Sequence, residues 1–332
     1  MNWRKKISLV TGGAGLVGSH IVKKLVQRGA TIKVLDNLSA YPFDQIIHFL
    51  PNQEGVEFIK GDITDKKVVD RALVDVDVVF HEAAFADVAA TIWNPEEDFR
   101  SNVLGTFNLL KSSKDNCVDR FIFASSAAVY GEQPKTNTND VPMFSEDMKP
   151  NPISTYANSK LWGEYEAQLF TSLYGLKTTS LRYFSIYGEP QVPKKGSHSW
   201  VVAIFVMRLL KNKPLVIFGD GSQVRDFIHV DDVAEATILA AEKQSTINKV
   251  INIGTGKPTT IKLLADNIFK IANLEPALEY IPRPKGDPFG GYANIKIMKK
   301  TIEWEPKINL KYGIERYYQW ARSHKNIIPQ WL

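Results

Sequence analysis

Residues 7–35 read as a short β-branched run, a glycine turn, an amphipathic stretch and a second β-branched run. This strand–helix–strand unit restricts the fold more than any other feature. Ile21, Val22, Leu25 and Val26 fall at helical spacing between the two runs, and Thr31–Leu35 is the second strand. The alternation then continues. The spacing predicts a strand over Val56–Lys60, a polar helix from Asp65 to about Leu73, a strand over Val76–Phe80, a helix from about Phe99 to Ser113 and a strand over Arg120–Ala124. A Pro- and Asn-rich stretch, Gln133–Ile153, reads as a long surface loop. A long amphipathic helix over Thr155–Tyr174 and a strand over Leu176–Leu181 follow. Strands that alternate with helices lie parallel in one sheet covered on both faces.

The turn itself carries Gly12, Gly15 and Gly18 as G-x-x-G-x-x-G. The first glycine permits the tight turn, the second lets backbone N–H groups approach a pyrophosphate, and the third allows close helix packing. Asp36 lies at the end of the next strand, where a carboxylate accepts from a ribose 2′-OH and repels a 2′-phosphate. The expected cofactor is therefore NAD rather than NADP. Asp62 and Ile63, after the following strand, have two readings: flanking the adenine, or forming a helix cap ahead of Asp65. The fold class is α/β, a Rossmann-like doubly wound parallel sheet. After Arg182 the alternation weakens around Pro190, Pro193, Pro214 and Pro258, which predicts a smaller mixed α/β C-terminal lobe. The expected division is 1–182 for the cofactor, with 226–257 returning to it, and 183–225 with 258–332 for the substrate.

Tyr156 and Lys160 form Y-x-x-x-K, and the i, i+4 spacing on a helix puts both on one face. Tyrosine is a poor base at neutral pH, but a nearby ammonium stabilises the phenolate. Ser126 sits at the end of a predicted strand, where catalytic groups of open α/β sheets gather, and can hydrogen-bond the same substrate oxygen.

Composition removes several alternatives. A chain of 332 residues that is 44% hydrophobic can bury a full core. Its longest apolar run, Trp200–Met207, falls far short of the roughly twenty residues of a membrane span, so no membrane crossing is expected. The basic start is followed only by Ile7–Val10 before polar residues, too short for a signal-peptide core of about 7–15, and a cytoplasmic location is expected. The single Cys117 excludes an internal disulfide and gives no support for structural zinc. A packed, inert thiol and no metal are expected. Residues 1–150 hold 17 Lys and Arg against 20 Asp and Glu and residues 151–332 hold 24 against 16, so the halves carry −3 and +8. The positive half suits an anionic partner, yet Lys194-Lys195 and Lys299-Lys300 are isolated pairs that read as solvated surface, and no nucleic-acid partner is expected.

The segments TGGAGLVGSH, VLDNL, KGDITD, VFHEAA, SNVLGTFNLL, FASSAAVYG, YANSK, LRYFSIYG, FGDGSQVRDFIHVDDVA, NIGTGKPTT and RPKGD follow in that order over nearly the whole chain. In this series the chain resembles the NAD-dependent nucleotide-sugar epimerase/dehydratase family of extended short-chain dehydrogenases/reductases, most nearly its UDP-glucose 4-epimerase branch. The resemblance implies an isomerase that binds NAD and a UDP-hexose, oxidises the sugar transiently to a 4-keto form and returns the hydride. It makes Tyr156 the general base, Lys160 its pKa-lowering neighbour and a nicotinamide-ribose ligand, and Ser126 the relay hydroxyl. Leu16, Val17, Asn37, Phe80, Ala83, Ala84, Asn102 and Phe184 would line the cofactor beside the glycines. Arg225, and Arg283 ahead of Gly286-Asp287, match the arginines that hold the nucleotide diphosphate, a task for which the guanidinium fork is suited. Similar proteins pair through two long helices, here about Phe99–Ser113 and Thr155–Tyr174, so a homodimer is expected.

Departures narrow the reaction. Dehydratases of the family carry an Asp-Glu pair where this chain has Ala127 and Ala128, and neither alanine can transfer a proton. The related decarboxylases keep a Glu at the second of these positions. Ser185 replaces the family asparagine of R-Y-F-N, which keeps an epimerase of another nucleotide sugar, such as UDP-glucuronate, in view. A non-catalytic NAD-binding scaffold is the alternative of another class, and the intact Ser126, Tyr156 and Lys160 speak against it. Gly291, four residues after Asp287, either leaves room for an N-acetyl group on the sugar or makes a flexible turn with Gly290.

Overall fold

A computed structural model describes residues 1–40, 55–133, 141–195, 199–283 and 288–332. In chain order the first half gives β1 (Ile7–Thr11), α1 (Leu16–Gln27), β2 (Thr31–Asp36), β3 (Val56–Lys60), α2 (Lys66–Ala72), β4 (Val78–His81), α3 (Val88–Trp93), α4 (Gly105–Asp115), β5 (Arg120–Ser126), β6 (Met143–Phe144) and α5 (Thr155–Tyr174). The second half gives β7 (Thr178–Tyr183), β8 (Ser185–Tyr187), α6 (Val201–Leu210), β9 (Leu215–Phe218), β10 (Val224–Arg225), β11 (Phe227–His229), α7 (Val230–Glu242), β12 (Lys249–Ile253), β13 (Thr259–Thr260), α8 (Ile261–Ala272), β14 (Leu278–Ile281), β15 (Tyr292–Ala293), α9 (Lys296–Ile302) and α10 (Leu310–Ser323).

Seven strands make one parallel sheet in the order β12-β7-β5-β4-β1-β2-β3. The direction of winding reverses between β1 and β4, which opens a crevice at their C-terminal ends. The predicted Rossmann-like sheet is therefore present. Apolar residues cover both faces, as a doubly wound sheet requires. On one face Val10, Val34, Phe80 and Ile122 pack with Ile21 and Leu25 of α1 and with Val233 and Ala236 of α7. On the other, Leu9, Leu35, Val79 and Phe121 pack with Val69 of α2, Leu109 of α4 and Phe170 of α5. A separate core joins α6, α8 and α10 over β9 through Phe205, Leu264, Ile268 and Tyr317. Met298, Ile302 and Trp304 follow β15 in sequence, yet pack beside the large sheet rather than in that core.

Helix ends fall where local chemistry places them. The Ser154 hydroxyl accepts from Ala157 N to start α5, and Gly175, with φ +75°, ends it in the left-handed conformation glycine favours. Two surface expectations need correction. Cys117 is exposed, not packed: it turns with φ +53° just after α4 and points its thiol outward. Lys194 is half-buried rather than solvated, and burial pulls its ammonium below the usual lysine range while Asp87 opposes this. Among the described residues no helix is long and apolar enough to cross a membrane.

Candidate active site

Helix α5 packs on β5 and β7, and the ends of β4 and β1 lie next to theirs in the sheet. The glycine turn after β1 is closely packed. A Cβ on Gly12, which has φ +65°, would sit 2.7 Å from Ala83 N, and one on Gly18 would sit 2.2 Å from Gly12 O. Helix α1 starts at Gly15 without a side-chain cap. The amides of Leu16, Val17 and Gly18 precede the first intrahelical bond, Ser19 N to Gly15 O, so the turn offers backbone donors to an anion.

Asp36 closes the far side of the turn. Its carboxylate accepts from Ala14 N at 3.0 Å and Leu38 N at 2.8 Å. Burial raises its pKa, and those two backbone bonds pull it down. Asn37 donates to Asp62 at 2.8 Å, and Asp62 also accepts from Thr64 N. Burial works against the Asp62 charge, but these bonds bring its pKa below the usual range. Asp62 thus ties the ends of β2 and β3 together, while Asp65 is the residue that caps α2. Ile63 is turned inward: a Cβ on Gly105 would lie 2.5 Å from its Cδ1. The glycine cradle, the free amides and the Asp36 carboxylate fit a dinucleotide.

Tyr156 and Lys160 lie one turn apart on α5, as the spacing predicts. The Lys160 ammonium donates to Ala124 O at 2.8 Å, 5.0 Å above the Phe123 ring centroid and 5.8 Å from that of Tyr156. Burial lowers its pKa to about 8, with Glu82 and Asp98 opposing. Burial pushes the Tyr156 hydroxyl up to about 12, and its hydrogen bond with Ser126 draws it back. At the end of β5, the Ser126 hydroxyl also accepts from Ala128 N at 3.1 Å and caps the short 3-10 turn Ala127–Tyr130. A phenol, a hydroxyl and an ammonium thus converge where a proton can be exchanged with a bound alcohol.

Other expected positions divide. Asn102 sits on a π-helical turn, Phe99–Leu104, and is almost fully buried. Its carboxamide accepts from Phe85 N at 2.8 Å and donates to Phe85 O at 3.1 Å, so it fixes the loop after β4. Ala83 and Ala84 begin that loop. Phe80 points into the core, its ring tilted against Trp3 at 6.1 Å, because the strand alternation sends it there. Phe184 packs beside Tyr130 and Phe144. The Ser185 amide donates to Asp226 O at 2.9 Å. Arg225 donates to the carbonyls of Phe289 and Pro288 at 3.1 and 3.3 Å, and the Arg283 stem lies 3.1 Å from a Cβ built on Gly219. Asp287 and Gly286 lie outside the described residues.

Gly291 has a packing reason to be glycine. A Cβ there would lie 2.4 Å from Pro142 O and 2.8 Å from the Phe144 ring, where β15 pairs with β6. Gly291→Ala is expected to lower stability by about 1–3 kcal/mol, the usual range for overpacking, and to affect all sugar substrates equally. Chemical denaturation and parallel assays check this; selective loss on one sugar would return the residue to substrate choice.

Two buried features escaped the sequence reading. Glu82, next to His81 at the end of β4, accepts from Tyr183 Oη at 2.9 Å. Behind Ser126, Arg182 donates twice to Glu164, at 2.9 and 2.8 Å, and Glu164 also accepts from Ser125. A charged residue within a strand end, as in VFHEAA and LRYF, was the available signal.

The family model of the NAD dependent epimerase/dehydratase family matches residues 8–254. A UDP-glucose 4-epimerase from Thermotoga maritima, solved with UDP-glucose, is 37% identical with a TM-score of 0.87, covering 96% of this chain and 99% of that one. A UDP-N-acetylglucosamine 4-epimerase from Methanobrevibacter ruminantium is 33% identical with a TM-score of 0.87, covering 96% and 98%. A UDP-glucuronate 4-epimerase from Thermodesulfobacterium geofontis is 31% identical over 329 residues, 96% of this chain and 97% of the relative. With the glycine cradle and the tyrosine–lysine pair lying inside the matched span, this chain belongs to the NAD dependent epimerase/dehydratase family.

Proposed function

We propose that this protein is a 4-epimerase of a UDP-hexose. The observation that carries the reading is the convergence of Ser126 with Tyr156 on one hydrogen bond, beside a lysine pinned to Ala124 O. When bound, NAD would supply the hydride acceptor and donor for a transient oxidation at C4. Tyr156 takes the proton of the C4 hydroxyl and later gives it back. Ser126 steadies the same oxygen, and the Lys160 ammonium stabilises the phenolate while holding the cofactor ribose. Gly12, Gly15, Leu16, Val17 and Gly18 hold the pyrophosphate, and Asp36 the adenosine ribose. Arg225 and Arg283 grip the UDP diphosphate while the sugar turns between two faces. We assign the cofactor to 1–182 with 226–257 and the nucleotide sugar to 183–225 with 258–332. Ala127 and Ala128 leave elimination of water without an acid, which favours epimerisation.

The test is proton NMR of the protein with UDP-galactose, UDP-N-acetylgalactosamine and UDP-galacturonate in separate tubes. Growth of the gluco anomeric signal from UDP-galactose is the expected result. Conversion of the uronate alone would move the substrate to UDP-glucuronate and make the Ser185 hydroxyl its reader. No conversion of any of the three would overturn the reading.

We further propose that the protein is a homodimer. Phe99, Leu104 and Phe107 on the segment leading into and along α4, and Tyr165, Leu169, Leu173 and Tyr174 on α5, are exposed apolar side chains on two adjacent helices. A patch of that kind marks an interaction surface. Light scattering is expected to give twice the chain mass of 37.4 kDa, and a monomer would sink the proposal.

A further inference from the structure

The roles above leave Glu82 unused. It directly follows β4, its amide donates to Thr11 O at 3.2 Å, and its carboxylate accepts from Tyr183 Oη. Tyr183 Oη also pairs with Thr237 Oγ1 of α7 at 2.8 Å, so the side chain is held. Its main chain abuts the glycine turn: a Cβ on Gly12 would lie 2.9 Å from the Glu82 carbonyl carbon. Its charge acts on the other end of the crevice, raising the pKa of both Lys160 and Tyr156. Glu82 therefore lies between the turn of β1 and the tyrosine–lysine pair of α5. A dinucleotide crossing the sheet end from one to the other has to pass it.

We propose that Glu82 is a positioning carboxylate for the cofactor, favouring the oxidised, cationic nicotinamide over the reduced, neutral one. The inference rests on Tyr156 and Lys160 marking the reacting end of the site. An epimerase that regenerates its oxidised cofactor each cycle gains from such a bias, because a reduced cofactor left without its keto-sugar is a dead end. The titratable groups that interact with Glu82 are Lys160 and Tyr156 from α5 and Tyr183 from β7, while its neighbour His81 on β4 turns to Thr11 and Thr106 instead. Burial keeps His81 well below the usual histidine range, hence neutral, and holds the Tyr183 phenol protonated. Lys160 is the one cation of the set. Burial raises Glu82 to about 7, with the Tyr183 bond and Lys160 opposing, so its charge is present above neutral pH and lost below.

The experiment equilibrates the protein with an equimolar excess of NAD+ and NADH until the bound ratio is constant, then removes free cofactor and measures the ratio extracted. At pH 8 the natural protein is expected to favour NAD+ about tenfold more than Glu82→Gln does, a gain on the scale of one partly screened charge pair. Its preference should fall toward that of the variant by pH 6, while the variant stays flat. Asp36→Asn serves as the control, lowering total cofactor bound without changing the ratio. An unchanged ratio in Glu82→Gln, with Asp36→Asn behaving as expected, overturns the role of Glu82 alone. If Asp36→Asn leaves the bound total unchanged, the placement of the cofactor is wrong and the inference falls with it. Should Glu82→Gln fail to fold, the natural protein still decides: a ratio that does not change between pH 6 and 8 overturns the proposal.

Discussion

Tyr156→Phe is expected to lower turnover about a thousandfold, within the usual range for loss of a positioned acid–base group, while bound NAD stays within about twofold of the natural protein. The ring remains, so the Lys160 contact with it at 5.8 Å and the Lys160 bond to Ala124 O are undisturbed. Only the ionisable oxygen is removed. Burial holds that oxygen's pKa at about 12, so at neutral pH it keeps its proton unless positive charge is gathered around it. Under the proposed mechanism, Lys160 and an oxidised nicotinamide would supply such charge. Stopped-flow or NMR assays with NAD extraction check the outcome. Undiminished turnover would remove Tyr156 from the chemistry, and loss of NAD along with activity would make it a structural residue instead.

Arg182→Ala should cost about 3–5 kcal/mol of stability, because it leaves Glu164 buried without its counter-ion. Both side chains are at most 4% exposed, so water cannot take the place of the guanidinium. The damage should reach the site: Glu164 is one turn beyond Lys160 on α5, and its oxygen also holds Ser125, the neighbour of Ser126. Urea unfolding measures the first effect. The double replacement Arg182→Met with Glu164→Leu is expected to recover most of the stability, since removing a whole buried pair is often neutral. A single variant as stable as the natural protein would show that the pair contributes little.

Much of this was legible along the chain because it is encoded locally. The strand Val56–Lys60 and the helix Thr155–Tyr174 lie where their residues predict, the latter bracketed by a serine cap and a left-handed glycine. The glycine turn, Asp36 and the tyrosine–lysine pair are likewise short-range patterns. What was missed depends on which way a side chain faces or on distant neighbours. Phe80 and Glu82 sit two positions apart at the same strand end. Strand geometry packs the first against Trp3, and the second, just past the strand, accepts from Tyr183 Oη on β7, a partner about a hundred residues away. The glycine at position 291 is explained by Pro142, a close approach just ahead of two paired strands far apart in sequence. Cys117 reads as a core residue by type, yet the turn after α4 carries it outward.

The return of the chain to its first sheet has a consequence for how it can be divided. Strand β12 pairs with β7, so a fragment ending at residue 182 would expose a bare strand edge open to association with other chains. Arg120 in β5 donates to Ala240 O and Thr246 Oγ1, both beyond that cut, and Lys24 and Arg28 of α1 pair with Glu235. A ribosome that has released only residues 1–182 has not yet supplied the strand and helix that close the sheet on that side. The nascent N-terminal half must therefore wait for about seventy more residues before it can reach its final form, and a chaperone-sensitive interval during synthesis follows from the strand order alone.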